Sequence, residues 1–363
     1  MKMKKLIPSL LGVGLLTTIT LIIAQSKRHA AIITAAAALA AAQTNGTAQT
    51  LINGAGSTFD NPAFTKWFSV YQSTVDTTVH FNYQSIGSGA GQKLLLNQTV
   101  DFGASDAPMS DEMMAKAPGK ILHIPVVVGG EAIAYNLPGN PKLKLDGDTL
   151  VNIYLGNITK WNDPKIAALN PGVDLPNLPV IVVHRSDGSG TTFIFADYLC
   201  HVSPVWADTV GKGTSLKWPV GLGGKGNEGV AGQIAQLKGA IGYVELAYAV
   251  QNHMTYAEMK NAAGKFVPCT LDSVSAALGT ATIPADFRFS MVNAPGDDSY
   301  PIAGASWVLV YQQPKNTGDA KKLVPFLKWA VTDGQKYSAE LDYAPLPKNV
   351  QEREIKLLDT IKY

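Results

Sequence analysis

Three times in this chain of 363 residues, a short apolar run passes through a glycine-rich turn into a segment with helical spacing. The runs lie at 50–53, 79–83 and 179–184, and the turns that follow them read "GAGSTFDNP", "QSIGSGAGQ" and "HRSDGSGTT". Alternating and β-branched runs predict strands, and apolar residues three or four positions apart predict helices, so the chain predicts an α/β fold. A chain of this length can form about two domains of ~100–200 residues each.

The first of the three helices has the clearest signals. Four aromatic residues recur with helical spacing from Phe64 onward, which predicts a helix with one buried aromatic face. Pro62, with Asp60 and an asparagine just before it, is the signature of a capped helix start. We therefore expect Thr58 and Phe59 to lie at the N-terminus of this helix.

The other two turns also place small polar residues at helix starts. Ser88 opens the second helix, and Ser189, Gly190 and Thr191 open the third. Unpaired N–H groups and a partial positive charge make helix N-termini suitable for anions, and hydroxyl groups add further donors. Ordinary capping explains any one of these turns equally well. Three of them in one chain, with Arg185 four residues before the third helix, favour a multidentate site for a tetrahedral oxyanion.

Rival motifs are incomplete. "GLGGKG" at 221–226 matches the GxGxxG pattern of dinucleotide-binding turns, with Glu245 at a suitable distance, but Pro219 argues against a central strand before it. A GxxxxGK[ST] phosphate loop and a GxSxG nucleophile motif are both missing, and no His or carboxylate is placed to activate a turn serine. We therefore expect no catalytic residue, no enzyme activity and no cofactor.

The metal and thiol chemistry of the chain is limited. Its two cysteines, Cys200 and Cys269, form no CxxC pair, and its six histidines lack the spacing of a metal site. We expect no bound metal. The cysteines could form a disulfide in an oxidising compartment or remain two thiols, and the sequence leaves both alternatives open.

The first 48 residues differ in composition from the rest of the chain. Basic residues precede two uncharged runs, at 6–24 and 30–42, and small polar residues follow the second run. This pattern is typical of a secretory signal peptide, so we expect a leader at 1–48, cleavage near 42–48, and a periplasmic protein. The alternative is that 6–24, about long enough to cross a bilayer, remains as a membrane anchor.

Charge restricts the partners of the mature chain. The leader contains five basic and no acidic residues, which leaves 25 Lys and Arg against 28 Asp and Glu, a net charge of about −3. The composition therefore predicts no basic surface for DNA or RNA, and we expect no nucleic-acid partner. Any bound anion must be held by local groups rather than by overall charge.

Several long strings resemble one family, the phosphate-binding subunits of Pst-type ABC importers. The resemblance runs from about residue 51 to the C-terminus and is densest in "GAGSTF", "VDFGASDAPMSDE", "LNPG", "HRSDGSGTTFIFADYL", "KWPVGLGGKGNEGVAGQI", "GAIGYVELAYA" and "LDYAPLP". It implies a type II periplasmic binding protein, in which two α/β lobes joined by two chain crossings close over the ligand. It also implies inorganic phosphate as the ligand.

The resemblance assigns phosphate binding to residues in the three turns and at two further positions. Those residues are Ser57, Thr58, Phe59, Ser88, Asp106, Arg185, Ser189, Gly190 and Thr191. In that family the arginine neutralises phosphate through a forked contact, and the acid that corresponds to Asp187 orients it. An Asx turn in "SDGSG" is an equally suitable and compatible interpretation of Asp187.

Asp106 determines which oxyanion is expected. A carboxylate repels an anion unless a proton lies between them, and phosphate carries such a proton at neutral pH whereas sulfate does not. The resemblance therefore implies that Asp106 accepts a hydrogen bond from protonated phosphate. From the residues alone, Asp106 is just as well explained as a helix cap before "APMSDE".

The resemblance also implies the domain limits and the partners. Lobe I takes residues 51–130 and 301–363, and lobe II takes 131–300, with the run 302–311 returning to lobe I as a strand. We expect a monomer that delivers phosphate to the permease subunits of an ABC importer in the inner membrane. The alternatives are a secreted phosphatase-like enzyme and a receptor for another oxyanion on the same fold.

Overall fold

The computed structural model describes residues 49–363, so the predicted leader and its cleavage site lie outside the described residues. The strands of the described part are β1 Thr50–Gly56, β2 Val79–Ser85, β3 Phe102–Ser105, β4 Ile121–Tyr135, β5 Lys144–Leu145, β6 Ile181–Arg185, β7 Leu222–Gly224, β8 Ala240–Glu245, β9 Thr255–Tyr256, β10 Glu258–Lys260, β11 Phe266–Val267 and β12 Ala303–Tyr311. Its α-helices are α1 Asn61–Thr74, α2 Ser88–Leu96, α3 Asp111–Ala115, α4 Gly147–Tyr154, α5 Pro164–Leu169, α6 Gly190–Val202, α7 Pro204–Thr209, α8 Gly226–Gln236, α9 Leu246–Gln251, α10 Leu271–Thr280, α11 Thr317–Ala330 and α12 Lys348–Leu358. Two 3₁₀ helices lie at Asp333–Tyr337 and Ala339–Leu341. None of the helices after residue 48 is both long and apolar enough to cross a bilayer.

The three strand–turn–helix units predicted from the sequence are confirmed as β1–α1, β2–α2 and β6–α6. They belong to a nine-stranded sheet with the order β2-β1-β3-β12-β4-β8-β6-β7, to which β9 adds by pairing with β4. β1 runs parallel to β2 and β3, and β6 runs parallel to β7 and β8. Within each group the carboxyl ends of the strands, and the turns that follow them, lie together, as they do where α/β proteins bind ligands. Because β12 is antiparallel to both β3 and β4, and β8 is antiparallel to β4, the two groups run in opposite directions and their carboxyl ends face each other.

The long strand β4 joins the two parallel groups. Its first part, Ile121 to Gly130, pairs with β12, and its last part, Glu131 to Tyr135, pairs with β8. All 15 residues of β4 and all nine of β12 are buried, in agreement with their nearly uninterrupted apolar sequences. The register of the β12–β4 pair shifts between Ser306 and Trp307, and such an irregularity re-aims the side chains beside it.

The aromatic face predicted for α1 packs into the core. Phe64, Trp67 and Tyr71 are buried, while Phe68 is half-buried and stacks on Phe81 of β2 with ring centroids 4.3 Å apart. Aromatic side chains bury large apolar areas and so dominate the stability of such a core. This packing fixes the start of α1 against the end of β1.

The turn after β1 needs a glycine. Gly56 has a φ of 142°, and a Cβ atom there would lie 2.0 Å from the backbone oxygen of Ala104 in β3. Only glycine allows the two backbones to approach this closely. The turn that carries Ser57 and Thr58 is thereby held directly beside the loop that carries Asp106.

Candidate functional site

The structure brings the nine predicted anion-binding residues together where the carboxyl ends of the two parallel groups of strands face each other, beside the point at which β4 changes pairing partner. β1 leads into the first three, β3 leads into Asp106, α2 begins at Ser88, and β6 and α6 carry the rest. All of them are buried: Ser57, Thr58, Phe59, Ser88, Asp106, Arg185, Ser189, Gly190 and Thr191. Buried polar groups are costly unless they are paired, so the partners of each define the site.

Hydroxyl groups surround the Asp106 carboxylate. Ser57 and Ser306 donate to its Oδ1, the latter at 3.1 Å, and Thr191 donates to its Oδ2 at 3.4 Å. The backbone amide of Asp106 donates to Ser88 Oγ at 3.2 Å. Asp106 therefore connects β12 and three of the predicted turns.

Two capping interpretations made from the sequence are wrong. Asp60 stands at the N-cap position of α1, but its side chain makes no capping bond and instead meets Ser306 Oγ at 2.8 Å. Asp106 caps no helix either, because α3 is capped by Ser110, whose hydroxyl accepts from the Met113 amide at 3.2 Å. In both cases partners that are distant in the sequence replace the local backbone amide.

Burial and charge act in opposite directions on Asp106. Burial raises the pKa of its carboxyl above the ordinary value, while the hydroxyl of Ser57, the charge of Arg185 and the hydroxyls of Ser306 and Thr191 lower it. The four opposing groups all favour the charged form. The arrangement thus suits a carboxylate that accepts hydrogen bonds.

Arg185 is held by two forked bonds to Asp187. Its Nε lies 2.9 Å from Oδ1 and its Nη2 lies 2.5 Å from Oδ2, while Nη1 points to Thr191 Oγ1 at 3.1 Å. Burial alone would lower the pKa of Arg185, but the bond and the charge of Asp187 raise it above the ordinary value. Asp187 also accepts from the Gly226 amide at 3.0 Å. The aspartate therefore fixes the direction in which the guanidinium points.

The N-terminus of α6 closes against Asp106. Ser189 is its N-cap, and the hydroxyl accepts from the Thr192 amide at 3.0 Å. A Cβ atom at Gly190 would lie 2.5 Å from Asp106 Oδ2 and 2.6 Å from Ser88 Oγ. The site therefore requires glycine at this position.

Asn227, at the start of α8, was not predicted from the sequence. Its backbone N–H donates to Thr58 Oγ1 at 3.2 Å, and its side-chain Nδ2 donates to the same oxygen at 2.8 Å. Nδ2 also lies 3.4 Å from Thr191 Oγ1. The motif "GLGGKG" is in fact a fourth strand–turn–helix unit, β7–α8, with β7 at the edge of the sheet, as the nearby proline indicates. Interpreting it by that pattern rather than as a dinucleotide motif would have found Asn227.

Other side chains of the site gave no sequence signal. Tyr248 donates to the Thr58 carbonyl at 2.6 Å and Tyr343 donates to the Phe59 carbonyl at 2.5 Å. Two buried glutamates, Glu131 and Glu245, stand opposite each other on β4 and β8, and burial raises the pKa of each well above its ordinary value. Burial thus favours the uncharged form of each glutamate.

Residues 49–363 contain neither a candidate metal site nor a disulfide bond. No group of three or more His, Cys, Asp or Glu there is arranged to hold a metal ion. Cys200 and Cys269 are both free thiols, so of the two open alternatives the structure has the unpaired one.

Sequence comparison matches this chain to one family model and to relatives that share one name. A family model described as a PBP superfamily domain matches residues 41–334. A phosphate-binding protein PstS from Pasteurella multocida is 46% identical over 303 residues, which cover 82% of this chain and 87% of the relative. A protein of the same name from Methanocaldococcus jannaschii is 35% identical and covers 86% of each chain.

Solved structures share the fold at low sequence identity. A phosphate-binding protein from Stenotrophomonas maltophilia superposes with a TM-score of 0.66 at 20% identity, over 85% of this chain and 93% of that one. A high-affinity periplasmic phosphate-binding protein solved with bound phosphate superposes with a TM-score of 0.67 at 22% identity, over 84% and 92%.

Proposed function

This chain belongs to the PstS family of phosphate-binding proteins within the PBP superfamily, and from that premise we propose that it captures inorganic phosphate for an ABC-type importer. The two-lobed α/β fold of periplasmic binding proteins, expected from the sequence, is confirmed. The family consists of substrate-binding transport proteins without enzyme activity. Phosphate is therefore held and released unchanged.

One observation supports the location of phosphate most strongly. The Asp106 carboxylate and the Arg185 guanidinium reach the same Thr191 hydroxyl, at 3.4 and 3.1 Å, from the two different parallel groups of strands. A ligand at this point meets an acceptor for its proton and a cation for its charge. Protonated phosphate supplies both features, while sulfate supplies only the charge.

The remaining donors complete the site. Asn227 Nδ2 lies 2.8 Å from Thr58 Oγ1 and 3.4 Å from Thr191 Oγ1, and Ser88 Oγ and the start of α6 lie beside Asp106. Phosphate therefore binds through many short, oriented donors rather than through net charge. The mature chain needs such a site, because its 28 acidic residues outnumber its 25 basic ones. We assign the nine predicted residues to phosphate and Asp187 to the orientation of Arg185.

The lobes meet at this site. The lobe limits at 130/131 and 300/301 remain our proposal, and the exchange of pairing partner along β4, from β12 to β8, supports the first of them. Hydrogen bonds cross between the proposed lobes, including Gly89 to Gly188 at 2.8 Å and Asn227 to Thr58 at 2.8 Å. Phosphate that contacts both lobes stabilises the closed arrangement, and this arrangement is what the importer's permease subunits recognise.

The cellular setting follows from the same premise. We propose a monomer that is secreted through the leader at 1–48, cleaved near 42–48, and works in the periplasm beside its permease. The PstS relatives that cover 82% of this chain support periplasmic phosphate binding as the setting. The predicted anchor at 6–24 is the competing proposal.

Calorimetry on the secreted protein tests the proposed function. We expect phosphate and arsenate, which is a protonated near-isostere, to bind with 1:1 stoichiometry, and sulfate and molybdate to bind at least about a hundredfold more weakly. Equal affinity for sulfate and phosphate would support a receptor for another oxyanion instead. In a separate incubation with a phosphate ester, release of inorganic phosphate would support the phosphatase-like alternative.

Gly190→Ala should weaken phosphate binding about tenfold or more, since relieving an overpacked contact typically costs 1–3 kcal/mol. The new methyl group would stand 2.5 Å from Asp106 Oδ2, where the two lobes close. Gly232→Ala in α8 is the matched control, because a Cβ atom there meets nothing within 4 Å. Calorimetry and thermal unfolding of both variants check the prediction, which fails if the two bind phosphate equally well.

A further inference from the structure

Ser306 lies between two buried carboxyl groups. Its Oγ is 2.8 Å from Asp60 Oδ2 and 3.1 Å from Asp106 Oδ1, and all three side chains are essentially inaccessible to solvent. A serine hydroxyl has one proton and can donate to only one of the two carboxyls at a time. The contact to the other carboxyl is a hydrogen bond only if that carboxyl carries a proton.

The two carboxyls have unequal surroundings. Asp106 receives the hydroxyls of Ser57 and Thr191 as well as that of Ser306, and it faces the guanidinium of Arg185. Asp60 has Ser306 alone, and its Oδ1 has no hydrogen-bond partner within residues 49–363. The position with many donors and a nearby cation holds the negative charge better than the position with one donor.

We propose that Asp60 is a protonated positioning residue, which donates to Ser306 and so directs the Ser306 hydroxyl onto Asp106. The chain of bonds then runs from Asp60 through Ser306 to Asp106, with one proton on Asp60 and the negative charge on Asp106. This inference rests on the proposed phosphate function and adds to it a residue that touches no ligand.

The arrangement has a consequence for phosphate. Ser57 and Ser306 both donate to Oδ1 of Asp106, so that oxygen is occupied and the carboxylate cannot rotate freely. Oδ2 faces Thr191 and the start of α6, and it is the oxygen left for the proton of phosphate. Asp60 thereby keeps the Asp106 carboxylate charged and keeps its Oδ2 directed toward the phosphate position.

The groups around the pair support this distribution of charge. Burial, and next the charge of Asp106, raise the pKa of Asp60 well above its ordinary value. The other titratable groups that face the pair from neighbouring elements are tyrosines and glutamates whose pKa values are also raised, namely Tyr83, Tyr343, Glu131 and Glu245. Arg185 faces Asp106 as a cation. The N-terminus of α1 would favour a charged Asp60, but the side chain makes no bond to an α1 amide.

Infrared spectroscopy without phosphate tests the protonation state. Asp60→Asn is nearly isosteric and keeps a donor toward Ser306, so the difference between wild type and variant at neutral pH isolates this one group. We expect the variant to lose a carbonyl band of a protonated carboxylic acid. Loss of a carboxylate band instead would overturn the proposal, and this result would leave the proposed phosphate function standing.

Phosphate affinity tests the connection through Ser306. We expect Asp60→Asn to bind within about threefold of wild type, Asp60→Leu to bind about tenfold more weakly, and Ser306→Ala to lose a similar factor. In the Ser306→Ala background, Asp60→Leu should cost nothing further, because Asp60 acts only through the serine.

If Asp60 mattered only for packing, the losses of phosphate affinity in Asp60→Leu and Ser306→Ala would instead multiply in the double variant. That result would overturn the proposal. Equal losses in Asp60→Asn and Asp60→Leu would also contradict it. Thermal unfolding of each variant identifies any that fail to fold, and the infrared comparison on Asp60→Asn then decides. A wild type that binds no phosphate would refute the proposed function, while the infrared result would still report where the proton lies.

Discussion

Arg185→Ala is expected to weaken phosphate binding on the order of 10²–10³-fold while the protein stays folded, because removing one partner of a buried charge pair costs about 2–5 kcal/mol. The guanidinium is buried and oriented by Asp187, so no other group can move into its place. Asp187 keeps partial access to solvent, with 12% of its side chain exposed, and can be hydrated once its partner is gone. Stability should therefore fall much less than affinity.

Arg288→Ala is the matched control for that variant. Like Arg185, Arg288 forms ion pairs with carboxylates, namely Asp111 at 2.6 Å and Asp286 at 2.8 Å. Its one hydrogen bond to a backbone carbonyl, at Met109, lies outside the nine predicted phosphate-binding residues. We expect its phosphate affinity to match that of wild type. Calorimetry that finds Arg185→Ala and Arg288→Ala equally competent would refute the role given to Arg185.

Asp106→Asn should reduce the preference for phosphate over sulfate at least about tenfold, since selectivity here depends on a repulsive carboxylate. The carboxamide keeps the shape of the side chain and removes its charge. Its NH₂ group can donate to an unprotonated oxygen of sulfate, which the carboxylate cannot do. The change should appear mainly as a gain in sulfate affinity.

A second carboxyl provides the control for this substitution. Asp101 is half-buried at the start of β3 and accepts from the Asn53 amide at 2.8 Å, away from the site. Asp101→Asn should leave the ratio of phosphate to sulfate affinity unchanged. Competition titrations of the two variants measure that ratio, and an unchanged ratio in Asp106→Asn would show that the carboxylate is not the selective element.

The parts of the site that could be predicted from the sequence depend on local rules. Strand periodicity, glycine turns and helix spacing predicted β1–α1, β2–α2 and β6–α6, and with them the positions of Thr58, Ser88 and Ser189. These signals lie within a few residues of the groups that they place. The aromatic spacing after Phe64 is local in the same sense, and the structure buries that face.

The parts that could not be predicted depend on contacts between distant segments. Ser306 reaches Asp60 and Asp106 across 246 and 200 residues of sequence, and it lies beside a register shift that the sequence of β12 does not predict. The Asp60 capping signal was correct about the helix start and wrong about the side chain, because a buried hydroxyl displaced the local amide. Asn227 was hidden for a different reason, since its turn resembles another motif.

A crystal structure of the secreted protein grown with phosphate would locate the ligand. We expect one phosphate between the lobes, with oxygens at about 2.5–3.2 Å from both the Arg185 guanidinium and Asp106 Oδ2. We also expect Asp106 Oδ1 still to face Ser57 and Ser306. Phosphate bound at another place, or held by Arg185 without touching Asp106, would contradict the proposed phosphate site.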